Sequence, residues 1–91
     1  MNILTIEDDR DALPSLRHVL EEDGHFLEAA ETLAEAFQRD DLPAFSIILL
    51  DRNLPDGIAD KHLPRLKALA PNAVVIIIAS LAEFVGEFWL R

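Results

Sequence analysis

Hydrophobic and polar positions alternate between two periods along this chain. Residues 3–6, 25–30, 47–50 and 73–79 form short runs rich in Ile, Val, Leu and Phe, each too brief for a helix and each bounded by acidic, Gly, Pro or Asn residues. The stretches between them repeat at helical spacing instead. Leu13, Leu16, Val19 and Leu20 make one stripe that stops at Gly24. Leu33, Ala34, Ala36 and Phe37 make a second within residues 31–39, broken by Asp40-Asp41-Leu42-Pro43. Leu63, Leu66, Leu69 and Ala70 make a third, ended by Pro71-Asn72, and Leu81, Phe84, Val85, Phe88 and Trp89 make a fourth. Asp11 is the expected N-cap of the first helix, with Pro14 in its first turn, and Asp60 that of the third. The order is β-α-β-α-β-α-β-α.

The run 47–50 is apolar at every position, so its strand is expected to be covered on both faces, as in the parallel sheet of an α/β fold. Right-handed crossovers then bring the carboxyl ends of all the strands to one edge. Glu7, Asp8, Asp51 and Ser80 are expected to converge there. Carboxylates held close together repel one another, and one stays protonated unless a cation neutralises them. A few hard oxygen ligands with positions left for water suit Mg²⁺. A carboxylate beside that ion can accept a phosphoryl group, and a hydroxyl such as Ser80 can donate to the new phosphoryl oxygens.

Charge and composition narrow the function further. Eight Lys and Arg stand against 17 Asp and Glu, a net charge of −9, which argues against nucleic acid and anionic membranes as direct partners. There is no cysteine, so thiolate metal sites and thiol nucleophiles are excluded. The longest apolar run is too short to span a bilayer, no signal peptide is visible, and a cytoplasmic location is expected. Asp9 reads as a capping or solvated acid rather than a ligand, and His18, His25 and His62 as surface or boundary residues without metal-site spacing.

Glu7-Asp8-Asp9 after an apolar strand, the run 45–51 ending on Asp51, Leu54-Pro55-Asp56-Gly57, and Ser80 after a Val/Ile strand together resemble a response-regulator receiver domain of two-component signalling. The resemblance implies a flavodoxin-like, doubly wound α/β sheet with strand order 2-1-3-4 over four βα units. It makes Asp51 the phosphoacceptor, Asp8 a direct Mg²⁺ ligand, Glu7 a ligand largely through water, Asn53 a ligand through its backbone carbonyl, and Ser80 the switch hydroxyl. A sensor histidine kinase or phosphotransfer protein is the implied phosphoryl donor, and no enzyme activity on another substrate is implied. Receivers also carry a fifth strand and helix and a lysine that pairs with the phosphoryl group. Residues 1–91 are therefore expected to be a single domain truncated before that unit. Arg10, Arg52 and Lys61 are candidate replacements for the lysine, while Leu81 stands where the family places a small residue.

Two other functions stay open on the sequence. One is a receiver-derived binding or oligomerisation module that is not phosphorylated. The other is a small acidic enzyme using Asp51 and Glu7 as an acid/base pair, for which no substrate-binding motif speaks. Strand four as an open edge, with the Phe84-Phe88-Trp89 face, leads to an expected homo-oligomer whose interface includes Val75, Ile77, Phe84, Phe88 and Trp89.

Overall fold

The computed structural model describes residues 1–78. Continuous apolar runs become strands because each has to fill two cores at once. Strands β1 (Asn2–Ile6), β2 (Phe26–Ala30), β3 (Ile47–Asp51) and β6 (Val74–Ile78) form one all-parallel sheet in the order β2-β1-β3-β6. This is the expected 2-1-3-4 order of a flavodoxin-like α/β fold. On one face Ile3, Leu27, Leu49 and Ile78 pack with Ala12 and Leu16 at the start of helix α1 (Leu13–Glu22). On the other, Leu4, Ile6, Ile48 and Leu50 pack with Leu33 and Ala36 of α2 (Leu33–Phe37) and Ala59 and Leu66 of α3 (Ala59–Leu69). Strand parity assigns each residue to its face.

The helices differ from expectation mainly at their ends. Asp11 does not cap α1: Ala12 holds that position without a side-chain hydrogen bond, while the Asp11 amide donates to Asp9 Oδ1 at 3.0 Å. Pro14 sits in the first turn as expected, and Gly24 takes a φ of +83° in the turn after the helix, a region open to glycine. Helix α2 is shorter than the span 31–39. Thr32 accepts from the Glu35 amide at 3.0 Å and fixes its start, and Arg39 beyond its end makes a two-pronged ion pair with Asp41 at 2.8 Å. Asp60 lies in the first turn of α3, whose N-cap is Ile58. The chain enters α3 directly from a strand, and the Ala59 amide is satisfied by the Arg52 carbonyl at 2.9 Å.

That strand belongs to a feature the apolar pattern did not show. Residues Asn53–Leu54 (β4) and Gly57–Ile58 (β5) form a small antiparallel ladder with Pro55 and Asp56 at its tip. Two residues a side are too few for a period to be visible. Among the described residues no helix is long and apolar enough to cross a membrane.

One buried group is mismatched to its surroundings. Thr5 is fully buried between Ala29 and Leu49 on the neighbouring strands, and its hydroxyl has no hydrogen-bond partner among the described residues. Thr5→Val keeps the branched shape and removes the orphaned group, so it should raise the unfolding free energy by about 1 kcal/mol. Urea denaturation checks this, and a lower midpoint in the variant would show that the hydroxyl is satisfied by buried water.

Candidate functional site

The parallel ladders deliver the acidic residues. Ile6 pairs with Leu50, so the next residue of each strand, Glu7 and Asp51, emerges at the same sheet edge. The Glu7 amide donates to the Ala30 carbonyl at 2.8 Å, and Asp51 closes β3 opposite Ile78 of β6. Both acids are nearly closed off from solvent, Glu7 at 2% and Asp51 at 7% exposure, while Asp8 is exposed. One carboxylate oxygen from each of Glu7, Asp8 and Asp51 lies within 4.8 Å of the other two. The expected convergence of these three is therefore present.

Glu7 carries the clearest electrostatic mark of the cluster. Its Oε1 accepts from the Asp9 amide at 2.9 Å, whereas its buried Oε2 has no hydrogen-bond partner among the described residues. Burial pushes its pKa up from 4.5 to about 7; the Asp9 amide works against this, and the neighbouring Asp51 and Asp8 carboxyls add to the rise. Between ionised carboxylates there is no donor, so Oε2 needs either a proton or a cation. An orphaned buried oxygen in an all-oxygen cluster with an exposed third member is a donor set that fits a hard divalent ion. Asp9 instead closes the turn into α1, as a capping acid would.

The other sequence candidates divide. Asn53 stands two residues beyond Asp51, its backbone paired with Ile58 in the β4–β5 ladder. Ser80, with Leu81, lies outside the described residues, as do Phe84, Phe88 and Trp89. Of the candidate replacement cations, Arg10 is ion-paired with Glu31 and Arg52 lies 3.8 Å from Asp60, and Lys61 is exposed in α3. Val75 and Ile77, expected at an oligomer interface, are half-buried against the core beneath α2 and α3. Strand parity puts Val74 and Ile76 on the opposite face, and these are the side chains β6 leaves exposed, at 60% and 41%. His18 pairs with Glu22 at 3.2 Å, His25 lies 3.1 Å from the terminal amine and His62 packs beside the Phe37 ring.

Sequence reasoning missed Asp56. Its carboxylate accepts from the Leu33 amide at 3.0 Å and the Ala34 amide at 2.9 Å, fastening the hairpin tip to the start of α2. Burial raises its pKa, but the Ala34 and Leu33 amides, its own amide and the neighbouring His62 together leave it below the usual carboxylate value. A capping acid more than twenty residues from the helix it caps leaves no local signal.

The fold has counterparts among known proteins. No protein-family model matches the chain. The transcriptional regulatory protein VxrB of Vibrio cholerae is 34% identical over 77 residues, which cover 85% of this chain. The chain spans 31% of the length of that curated relative. Because the relative is a transcriptional regulator, the expectation that nucleic acid is no partner is left without support. A response regulator protein from Burkholderia pseudomallei, solved with a phosphorylated aspartic acid, a calcium ion and citrate, superposes with a TM-score of 0.73 at 25% identity, over 93% of this chain and 55% of its own. The CheY-like receiver domain protein from Methanospirillum hungatei is 30% identical with a TM-score of 0.73, over 98% of this chain and 72% of its own. Likeness of that extent in both sequence and backbone shows that the chain belongs to the response-regulator receiver-domain family.

Proposed function

We propose that this domain receives a phosphoryl group on Asp51 in two-component signal transduction, with Mg²⁺ held by Glu7, Asp8, Asp51 and the Asn53 backbone carbonyl. The observation that carries the proposal is the approach of one carboxylate oxygen from each of Glu7, Asp8 and Asp51 to within 4.8 Å of the other two, with the buried Glu7 Oε2 unpartnered among the described residues. The ion, when bound, offsets negative charge on both the nucleophile and the transferring group. The chain's own residues do the rest. Asp51 supplies a carboxylate oxygen that forms the new O–P bond as the donor's bond to phosphorus breaks and the leaving group departs with the electron pair. Strands β1 and β3 hold the acids in place before the donor arrives, which lowers the entropic part of the barrier. The donor in the cell is a histidine kinase or a phosphotransfer protein, and Ser80 is the hydroxyl that senses the product. The calcium ion and phosphorylated aspartate of the Burkholderia protein support the same chemistry in a relative.

The test is intact mass after incubation with Mg²⁺ and acetyl phosphate or phosphoramidate. One added phosphoryl group is expected in the native chain and none in Asp51→Asn or with excess chelator. A folded native chain that gains no mass under these conditions would sink the proposal, and would favour a receiver-derived module that acts by binding alone.

A further inference from the structure

Asp56 lies in none of the roles assigned above, yet its contacts reach from the site to a different layer of the fold. Arg52 and Asn53 follow Asp51 directly, and the backbone there is held in three ways. The Arg52 amide donates to the Ile78 carbonyl at 2.9 Å, the Arg52 carbonyl accepts from the Ala59 amide at 2.9 Å, and Asn53 pairs with Ile58. The two hydrogen bonds and the ladder pairing tie the hairpin to β6, to α3 and to itself. The Asp56 carboxylate ties its tip across to α2, through hydrogen bonds of 3.0 Å and 2.9 Å to the Leu33 and Ala34 amides. A ladder of two residues a side is weak alone, and its angle to the sheet is set by what holds its far end.

We propose that Asp56 is a positioning residue for the metal site: by clamping the hairpin tip to α2 it fixes the Asn53 backbone that offers its carbonyl to Mg²⁺. The inference rests on the metal-site reading given above. Gly57 serves the same clamp. Its φ is +159°, and a Cβ there would lie 2.7 Å from His62 Nε2 and 3.2 Å from Leu33 Cδ1, so the tip passes close to both α3 and α2. An anionic clamp suits these amides, because a carboxylate offers two acceptors to two donors at a helix start. An amide side chain offers one acceptor only, and a methyl none.

The experiment is calorimetric titration with Mg²⁺ of the native chain, Asp56→Asn, Asp56→Ala and Thr32→Ala, with urea denaturation of each without metal. Thr32→Ala weakens the start of α2 by removing the bond to the Glu35 amide but leaves the hairpin untouched. Asp56→Ala should raise the Mg²⁺ dissociation constant about tenfold and Asp56→Asn about threefold, whereas Thr32→Ala lowers the urea midpoint and changes the constant less than about twofold. A role confined to stability moves the midpoint in all three variants without separating their Mg²⁺ affinities, and that result overturns the proposal. If Asp56→Ala does not fold, the comparison of Asp56→Asn with Thr32→Ala decides it. A native chain that binds no Mg²⁺ overturns the metal-site reading itself, and this inference with it.

Discussion

Leu50→Ala should lower the unfolding free energy by about 3 to 4 kcal/mol, the cost of lost burial plus an unfilled cavity. Leu50 has no solvent exposure, pairs with Ile6 and Ile77 on the two neighbouring strands, and packs in the core beneath α2 and α3. The site allows little collapse, because its neighbours on both sides are themselves fixed in ladders. A domain this small has a narrow margin, with total stability near the low end of about 5 to 15 kcal/mol. Far-ultraviolet circular dichroism in urea should show the variant largely unfolded before the native chain begins its transition. Leu69→Ala is the control: that leucine is 40% exposed, and its loss should cost less than about 1 kcal/mol. Equal midpoints for the two variants would contradict the burial of β3 beneath α2 and α3. Since Leu50 directly precedes Asp51, the variant should also lose its response to Mg²⁺ along with its fold.

How far the fold was legible follows from what each residue had to satisfy. The run 47–50 has to meet two cores at once, so its character survives as an unbroken apolar string that only a buried parallel strand explains. Glu7 and Asp51 could be placed together because strand order and direction bring both strand ends to one edge, and the Ile6–Leu50 register delivers them there. Helix ends were less legible. Asp11 and Asp60 have the right side chains for caps, but the turn of Asp9 and the Arg52–Ala59 bond already settle the chain at those places. The bonds of Asp56 were invisible because its partners are amides of a helix far off in the sequence, and an amide has no letter. The same holds for the choice between Val75 with Ile77 and Val74 with Ile76. All four are equally apolar, and only the register with β3 decides which pair faces α2 and α3.

In the absence of metal, the domain should lose stability as pH rises from about 5.5 to 8. Glu7 is the cause. Its pKa stands at about 7 in the fold against 4.5 for an ordinary glutamate, so the folded state holds this proton more tightly than the unfolded chain does. The stability this provides is complete below pH 4.5 and is lost as pH climbs through 7. Each unit of difference corresponds to about 1.4 kcal/mol. With solvent reaching the open side of the cluster through Asp8, the net loss should be about 2 kcal/mol, or roughly 10 °C in melting temperature. Mg²⁺ should reverse it, and more strongly at pH 8 than at pH 5.5, because at the lower pH the ion has to displace the Glu7 proton first. Glu7→Gln isolates the contribution of this carboxyl. The variant cannot ionise, so the margin by which it exceeds the native chain should grow by about 2 kcal/mol between pH 5.5 and pH 8, and it should gain little from Mg²⁺ at either. Thermal melts at both pH values, with and without the ion, give all the comparisons. A native chain as stable at pH 8 as at 5.5, or a pH slope unchanged in Glu7→Gln, would show that the buried carboxyl is already compensated within the fold, leaving Oε2 no need for a cation.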